Sequence, residues 1–169
     1  GNVAWLDEYD PSTNRWRKLP DAPHARDHFH AAVFDNKLYV TGGRATNAKS
    51  NRVLENVIPE VDVFDFKTEK WSTLPESSNL PTPRAGCTTI VQGKSILVIG
   101  GETVQLRAHA QCESFDIKSG TWSTLDSLNT GRHGTQAAAL NGSIYLVAGS
   151  ANRGGGPEQD SMECFKKKE

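Results

Sequence analysis

Three copies of one sequence pattern predict an all-β propeller, in which four-stranded antiparallel sheets, the blades, radiate from a common axis. In each copy an aromatic residue is followed by aspartate and, seven positions after the aromatic, by tryptophan. A second pattern, a short apolar run that ends in two small residues, recurs in step with the first. The tryptophans are 55 and 51 residues apart, a period typical of a propeller blade rather than of a helical solenoid.

The aromatic pattern predicts the outer half of each blade. Its members are Tyr9 with Trp16, Phe64 with Trp71, and Phe115 with Trp122. A serine or threonine between aromatic and tryptophan is suited to cap a turn, so the aromatic lies on the third strand and the tryptophan on the fourth. We expect all three tryptophans in the core, where removing one would cost about 3–5 kcal/mol.

The apolar runs predict the second strand of each blade. Residues 38–43, 96–101 and 144–149 are short and rich in β-branched side chains, as expected for a strand buried on both faces. Glycine at the end permits positive φ and a close approach of other backbone. The structural glycines are Gly42, Gly43, Gly100, Gly101 and Gly149. Ala148 replaces the first glycine of the third pair, which requires an ordinary negative φ or modest crowding there.

A stretch of small residues precedes each apolar run and predicts the innermost strand. These stretches are 31–33, 89–91 and 137–139, and turn residues separate each from the following run. Small side chains suit an inner strand because several blades crowd around one axis.

The repeats divide the chain into four parts. We predict the last two strands of a blade at 3–19, whole blades at 28–74 and 86–125, and three strands of a blade at 134–166. About three blades cannot close a ring, since propellers usually have four to eight, and open sheet edges are adhesive. Two explanations stay open. The sequence is a fragment of a longer propeller, or a second chain completes the ring as six blades of four strands.

These columns resemble the kelch repeat of β-propellers over nearly the whole chain. The matching features are the paired glycines, the spacing from aromatic to tryptophan, and an arginine ahead of each inner strand. The resemblance implies a non-catalytic scaffold that binds proteins or acidic peptides. If it belongs to the intracellular adaptors, it implies substrate recognition for a ubiquitin ligase. The alternative is a secreted glycan-binding or galactose-oxidase-like propeller. We expect no cofactor.

Four arginines are candidate ligand-binding residues. Arg26, Arg84 and Arg132 each lie just before an inner strand, and Arg44 follows the first glycine pair. In kelch substrate adaptors, arginines at such positions surround the channel mouth and bind acidic peptides, because a guanidinium group can bind a carboxylate bidentately. The alternative is structural, with each arginine holding a loop between blades by bonding carbonyl groups.

The loops that follow the second strands differ most between repeats, and specificity is expected there. Asn152 and Arg153 in the last of these loops complete the candidate ligand-binding set. The adjoining run Gly154–Gly156 could hold an anion through backbone amides, or could simply form a flexible loop.

Charge and hydropathy exclude several classes of function. Nineteen basic and twenty acidic residues give a net charge of -1, so no chain-wide field for nucleic acid or an anionic membrane is expected. The apolar runs are too short to cross a bilayer. The first residues have neither a basic start nor a long apolar stretch, so we expect no signal peptide. Both a cytoplasmic and a secreted location stay open.

Cysteine and histidine spacing predicts no metal site. Cys87, Cys112 and Cys164 fit neither a metal clip nor a redox pair and are expected to be free thiols. A Cys112–Cys164 bridge stays possible if the two lie on neighbouring strands. His28 and His30 would share one face of a strand, but no carboxylate or cysteine follows at the usual ligand spacing.

Overall fold

The computed structural model describes residues 2–50 and 52–166. In this part of the chain, thirteen strands form four antiparallel sheets of two, four, four and three strands. Helical structure among the described residues is limited to short 3-10 turns at Ala48–Ser50 and Glu76–Ser78, and none of it could span a membrane. The predicted all-β propeller architecture is confirmed.

Each sheet is one blade, with its strands in chain order from the inside outward. Blade 1 consists of β1 (Leu6–Asp10) and β2 (Arg15–Leu19). Blade 2 consists of β3 (His30–Phe34), β4 (Lys37–Thr41), β5 (Asp62–Asp65) and β6 (Lys70–Thr73). Blade 3 consists of β7 (Thr88–Gln92), β8 (Ser95–Ile99), β9 (Cys112–Asp116) and β10 (Thr121–Leu125). Blade 4 consists of β11 (Ala137–Leu140), β12 (Ser143–Val147) and β13 (Met162–Lys166). The small-residue strand β7 contacts both β3 and β11, so these strands surround the axis.

The hydrophobic core lies between neighbouring blades. One cluster joins blades 2 and 3 and consists of Ala32, Tyr39, Val61, Val63, Ile96 and Phe115. A second joins blades 3 and 4 and consists of Leu97, Ile99, Cys112, Ile144 and Leu146. Each blade therefore depends on its neighbour to bury its apolar face.

The aromatic pairs face each other across the third and fourth strands. Phe64 lies opposite Trp71 and Phe115 lies opposite Trp122, with ring centroids 5.1 Å apart in both pairs. The indole N–H of Trp71 donates to the Pro20 carbonyl at 2.8 Å. Trp122 donates at the same distance to the Ser78 carbonyl. Each indole therefore ties its blade to the linker that leaves the preceding blade.

The expectation of a core position is wrong for Trp16. It pairs with Tyr9 in the same register, with centroids 5.0 Å apart, but its side chain is 69% exposed. The physical reason is that Trp71 and Trp122 gain their cover from a preceding linker, and no described residues supply such a linker beside blade 1.

The first glycine of each pair is where backbone passes from blade to blade. Gly42 has φ +68° and Gly100 has φ +65°. A Cβ at Gly42 would lie 2.9 Å from the Arg84 carbonyl oxygen, and one at Gly100 would lie 2.3 Å from that of Arg132. The same two carbonyls accept hydrogen bonds from the amides of Gly43 and Gly101, at 2.9 and 2.8 Å.

Ala148 adopts the left-handed conformation too, with φ +58°. The suggestion of an ordinary negative φ at this position is therefore wrong. Ala148 is exposed, which fits the alternative of modest crowding. At Gly42 and Gly100 the crowding carbonyl comes from the loop that enters the next blade, and no described residues form such a loop after blade 4. The alanine carries the backbone strain without the clash.

We expect Gly100→Ala to destabilise the chain far more than Gly93→Ala. Gly93 also has positive φ, +62°, but a Cβ there would meet nothing within 4 Å. Gly93→Ala should therefore cost only the left-handed strain, about 1–2 kcal/mol. Gly100→Ala should cost about 1–3 kcal/mol more, because blades 3 and 4 must separate. Urea unfolding of both variants measures the difference, and equal losses would show that close backbone approach is unimportant.

Candidate functional site: the loop face

The arginines ahead of the inner strands are enclosed. Arg26, Arg84 and Arg132 are 4%, 0% and 1% exposed. Each guanidinium group pairs with a carboxylate on the third strand of its own blade. The pairs are Arg26 with Asp62, Arg84 with Glu113 and Arg132 with Glu163. Each also donates to the carbonyl of the first residue in the small pair, at Gly42, Gly100 and Ala148.

This repeated contact fixes the end of the second strand against the third strand and the incoming loop. Arg84 shows it most fully, since it donates to the carbonyls of Gly100, Val98 and Thr82 as well as to Glu113. Because the Arg84 side chain has no exposed area, none of its N–H groups is available to an external ligand. The structural alternative describes these three arginines, and their contact with an acidic peptide stays a prediction without support from their placement.

The acidic partners form a column that sequence reasoning missed. Asp62, Glu113 and Glu163 each stand two residues before the aromatic of their repeat. A signal was available, because Asp7 stands two residues before Tyr9 in blade 1 as well. A buried arginine needs a carboxylate, so the recurring arginines together with the recurring acidic residues predict these pairs.

Arg44 belongs to a second network, which joins three blades. Its guanidinium group donates to Oε1 of Glu102 at 2.6 Å, and the Gly154 amide donates to Oε2 at 2.7 Å. His133 Nε2 lies 3.6 Å from the same oxygen and 2.8 Å from the Asn152 carbonyl oxygen. Glu102, only 2% exposed, is thereby the common anion of loops from blades 2, 3 and 4.

This network corrects the prediction that the backbone amides of Gly154–Gly156 hold an external anion. The anion at the Gly154 amide is the carboxylate of Glu102. Burial raises the pKa of this carboxyl group, but the hydrogen bonds from Gly154 and Arg44, with the charges of His133 and Arg44, outweigh burial. The pKa of Glu102 therefore lies below its usual value.

We define the loop face as the three loops after the second strands, residues 44–60, 102–110 and 150–160. The last two pair with each other. The Ala108 amide donates to the Ala151 carbonyl and the Arg153 amide to the Leu106 carbonyl, both at 2.9 Å. The guanidinium group of Arg153 also donates to the Val104 carbonyl.

A groove of about 320 Å³ crosses the loop face. Its lining residues are Val53, Leu54, Glu55, Val104, Arg153 and Gly154. Val53 is 42% exposed, Val104 is 50% exposed and nearby Leu106 is 67% exposed. Arg153 is exposed, and the described residues show no ion pair for it. The groove therefore offers apolar surface and an accessible cation side by side.

Three of the predicted ligand-binding residues belong to the loop face. Arg44 is buried at its base and is 5% exposed, while Asn152 and Arg153 lie in the loop that borders the groove. Val53 and Val104 were missed, since a single valine in a polar loop carries no recognisable signal.

The described cysteines are free thiols, and two of the histidines contact carboxylates. Cys87, Cys112 and Cys164 are free, and burial raises the pKa of the Cys112 thiol to about 11. Within this part of the chain no three histidine, cysteine or carboxylate groups could hold a metal ion together. His24 and His28 instead contact carboxylates, Asp62 at 3.0 Å and Asp27 at 2.8 Å.

Radial antiparallel sheets with inter-blade indoles and a connected loop face define a β-propeller scaffold. The chain belongs to the kelch-repeat family. Residues 3–152 match the family described as the KLHDC2/KLHL20/DRC7 Kelch-repeats domain.

Several curated proteins are similar to the chain. It is 28% identical over 152 residues to Kelch-like protein terF of Aspergillus terreus, covering 88% of this chain and 31% of that protein. It is 28% identical over 144 residues to Alpha-scruin of Limulus polyphemus, covering 82% and 15%. It is 26% identical over 158 residues to Kelch domain-containing protein 8B of Rattus norvegicus, covering 93% and 44%. The chain thus spans less than half the length of each of these relatives.

A solved structure has the same fold. The structure of YjhT superposes with a TM-score of 0.78 and covers 98% of this chain and 50% of that one. The sequence identity is 19%, so this likeness concerns the fold alone.

We expect Arg84→Ala to cost about 3–5 kcal/mol of unfolding free energy, because it leaves Glu113 buried without its cation. The double variant Arg84→Met with Glu113→Leu should recover part of the loss, since it removes the stranded charge as well. Arg15→Ala, at an exposed position on β2, is the matched control and should leave stability nearly unchanged. Urea unfolding tests the order, and a double variant less stable than Arg84→Ala would contradict it.

We expect Glu102→Gln to weaken the acid sensitivity of folding. The pKa of Glu102 is lower in the folded chain than the unfolded value of about 4.3, so its contribution is complete above that pH and is lost as the pH falls further. Unfolding free energy measured from pH 6 to pH 3 should fall less steeply in the variant below pH ~4.3. Parallel curves for variant and parent would show that the network does not stabilise the carboxylate.

Proposed function

We propose that this chain is a non-catalytic module that binds a protein segment in the groove of its loop face. The observation that carries the proposal is that exposed apolar side chains and Arg153 line the same groove. The Glu102 network holds the loops that form this groove in place. Exposed loops on a rigid scaffold are a common position for recognition. The partner segment would place an apolar side chain against Val53 and Val104 and a carboxylate on Arg153.

The composition of the loop face favours a peptide over a glycan. Propellers that bind sugars would need aromatic side chains near these loops as stacking platforms. Residues 44–60, 102–110 and 150–160 contain no tryptophan, tyrosine or phenylalanine. Five described aromatic side chains are exposed, and the groove is lined by none of them: Trp5, Tyr9 and Trp16 belong to blade 1 and its approach, Phe29 precedes β3 and Phe66 follows β5.

Substrate recognition for a ubiquitin ligase is a finer form of the same proposal. It is supported by the kelch resemblance and requires a ligase-docking region alongside these blades. If the module has this role, the abundance of a protein captured by the groove should rise when the groove is disabled.

We expect Arg153→Ala to weaken the binding of selected peptides about tenfold, since it removes the accessible cation of the groove. The probes are peptides selected on this chain from a displayed library of random sequences. Val104→Ser should weaken the same peptides by removing the apolar contact. Arg15→Ala, which removes an equal charge from blade 1, should not.

The same experiment also measures the composition of the selected peptides and the salt dependence of their affinity. Selected peptides should be enriched in acidic and large apolar residues, and their affinity should fall as salt rises. Peptides without this enrichment, or peptides that bind Arg153→Ala and the parent equally, would overturn the proposed site.

A further inference from the structure

A cleft of about 440 Å³ opens between blades 2 and 3, the two four-stranded sheets of the described chain. All its lining residues belong to these two blades and to the linker between them. It lies at the end of the strands away from the loop face, because Lys37 lines it at the start of β4 and Arg44 follows the other end of that strand. The walls of the cleft are therefore complete without any further blade.

The inner wall of the cleft is apolar and partly aromatic. Tyr39 and Phe115 line it and are 6% and 2% exposed. Both belong to the core cluster that joins the two blades, and Val63 of the same cluster lies beside them. Leu74 and Ile117 extend the apolar lining toward the surface. A small apolar molecule would be sheltered from water against this wall.

The charged side chains that line the cleft are cationic. Lys37 and Lys118 are among the lining residues, and no carboxylate is. The carboxylates of Asp65 and Asp116 lie near these lysines, but each accepts a backbone amide of the turn that follows its own strand. The lysine ammonium groups therefore remain suited to an anionic group that enters the cleft.

The hydroxyl group of Tyr39 is a second, independent sign of a ligand. Its Oη makes no hydrogen bond with any described residue and is not one of the fully enclosed unpaired atoms, so it keeps contact with solvent through the cleft. Polar groups on side chains this deeply buried usually have a partner. Burial and the charge of Asp35 raise the pKa of Tyr39, so the phenol stays protonated at neutral pH and can donate.

This combination of groups is not a feature of every blade. Lys37 starts the second strand in blade 2, whereas Ser95 and Ser143 start it in blades 3 and 4. The tyrosine two residues later is present in blades 2 and 4 but is leucine in blade 3. Residues two apart on a strand share a face, so only blade 2 presents a lysine and a phenol together. Blade packing in general does not require this pair.

We propose that this cleft binds a small aromatic molecule that carries one anionic group. The aromatic body packs against Tyr39 and Phe115, and the anionic group meets Lys37 and Lys118. The Tyr39 hydroxyl donates to the same anionic group and thereby gains the partner that it lacks. The volume of the cleft lies in the range of about 300–1,000 Å³ that is usual for small-molecule sites. A carboxylate and a phosphate share the chemistry that these residues recognise.

The test compares three probes with one apolar body: 2-naphthoate, 2-naphthyl phosphate and the neutral 2-naphthamide. Each is titrated with the 169-residue chain and followed by ligand-observed NMR. At least one of the two anions should bind with a Kd below about 1 mM and at least about tenfold more tightly than the amide. The tighter anion identifies the head group. The advantage over the amide should shrink as salt rises.

Two matched pairs of variants locate the site. Tyr39→Phe loses no internal hydrogen bond, so it should unfold at the parent temperature but bind the anion about tenfold more weakly. Tyr145→Phe, at the corresponding position of blade 4, should bind as the parent does. Lys118→Gln should weaken the anion several-fold and leave the amide unchanged. Lys67→Gln changes the same turn position in blade 2, outside the cleft, and should change neither.

Four results would overturn the proposal. These are a Kd above about 1 mM for both anions, an amide that binds as tightly as they do, equal binding within either matched pair, and weaker binding by Arg153→Ala. The last would place the probe on the loop face. Because this cleft and the groove share no lining residue, failure here leaves the proposed peptide-binding function to its own test.

Discussion

The buried arginine–carboxylate pair is the interaction on which blades 2, 3 and 4 depend. Arg84 brings together Glu113, the end of β8 and the loop that enters blade 3, and it does so with no exposed surface. Such a pair is weak evidence for stability in itself, because removing two charges from water is costly. The guanidinium group is satisfied because β8, β9 and the incoming loop bring the carbonyls of Gly100, Val98 and Thr82 and the carboxylate of Glu113 to one place.

Backbone hydrogen bonds between blades add to the side-chain core that lies between them. The carbonyl of the same arginine accepts a hydrogen bond from the glycine pair of the preceding blade, since the Gly43 amide donates to the Arg84 carbonyl oxygen. One residue therefore organises its own blade through the side chain and the adjacent blade through the main chain. At the outer strands, the indoles of Trp71 and Trp122 also connect neighbouring blades, because each donates to a carbonyl of the preceding linker.

The sequence was sufficient to predict the architecture because its signals are local and repeated. Aromatic spacing, paired glycines and small inner strands each report one strand, and three copies in step identify the blade. Exposure was harder to predict. Whether Trp16 is covered or Ala148 is crowded depends on neighbouring segments, and a repeat pattern describes the average blade rather than one at an open side.

The candidate site was predicted only in part, for a different reason. Arginine is equally suited to holding carbonyls and to binding a partner, so its recurrence could not decide between the two roles. Glu102 was missed because a carboxylate that joins three loops has no periodic signature. The groove residues Val53 and Val104 come from loops of unequal length, and only folding brings them together.

The shared carboxylate of Glu102 has a consequence for how this surface can diversify. Loops that meet at one buried anion cannot be exchanged independently, because a transplanted 150–160 segment must present an amide to that anion and a new 44–60 segment must present a cation. New binding specificities would therefore arise from the exposed residues of these loops, while the buried residues that contact Glu102 stay the same.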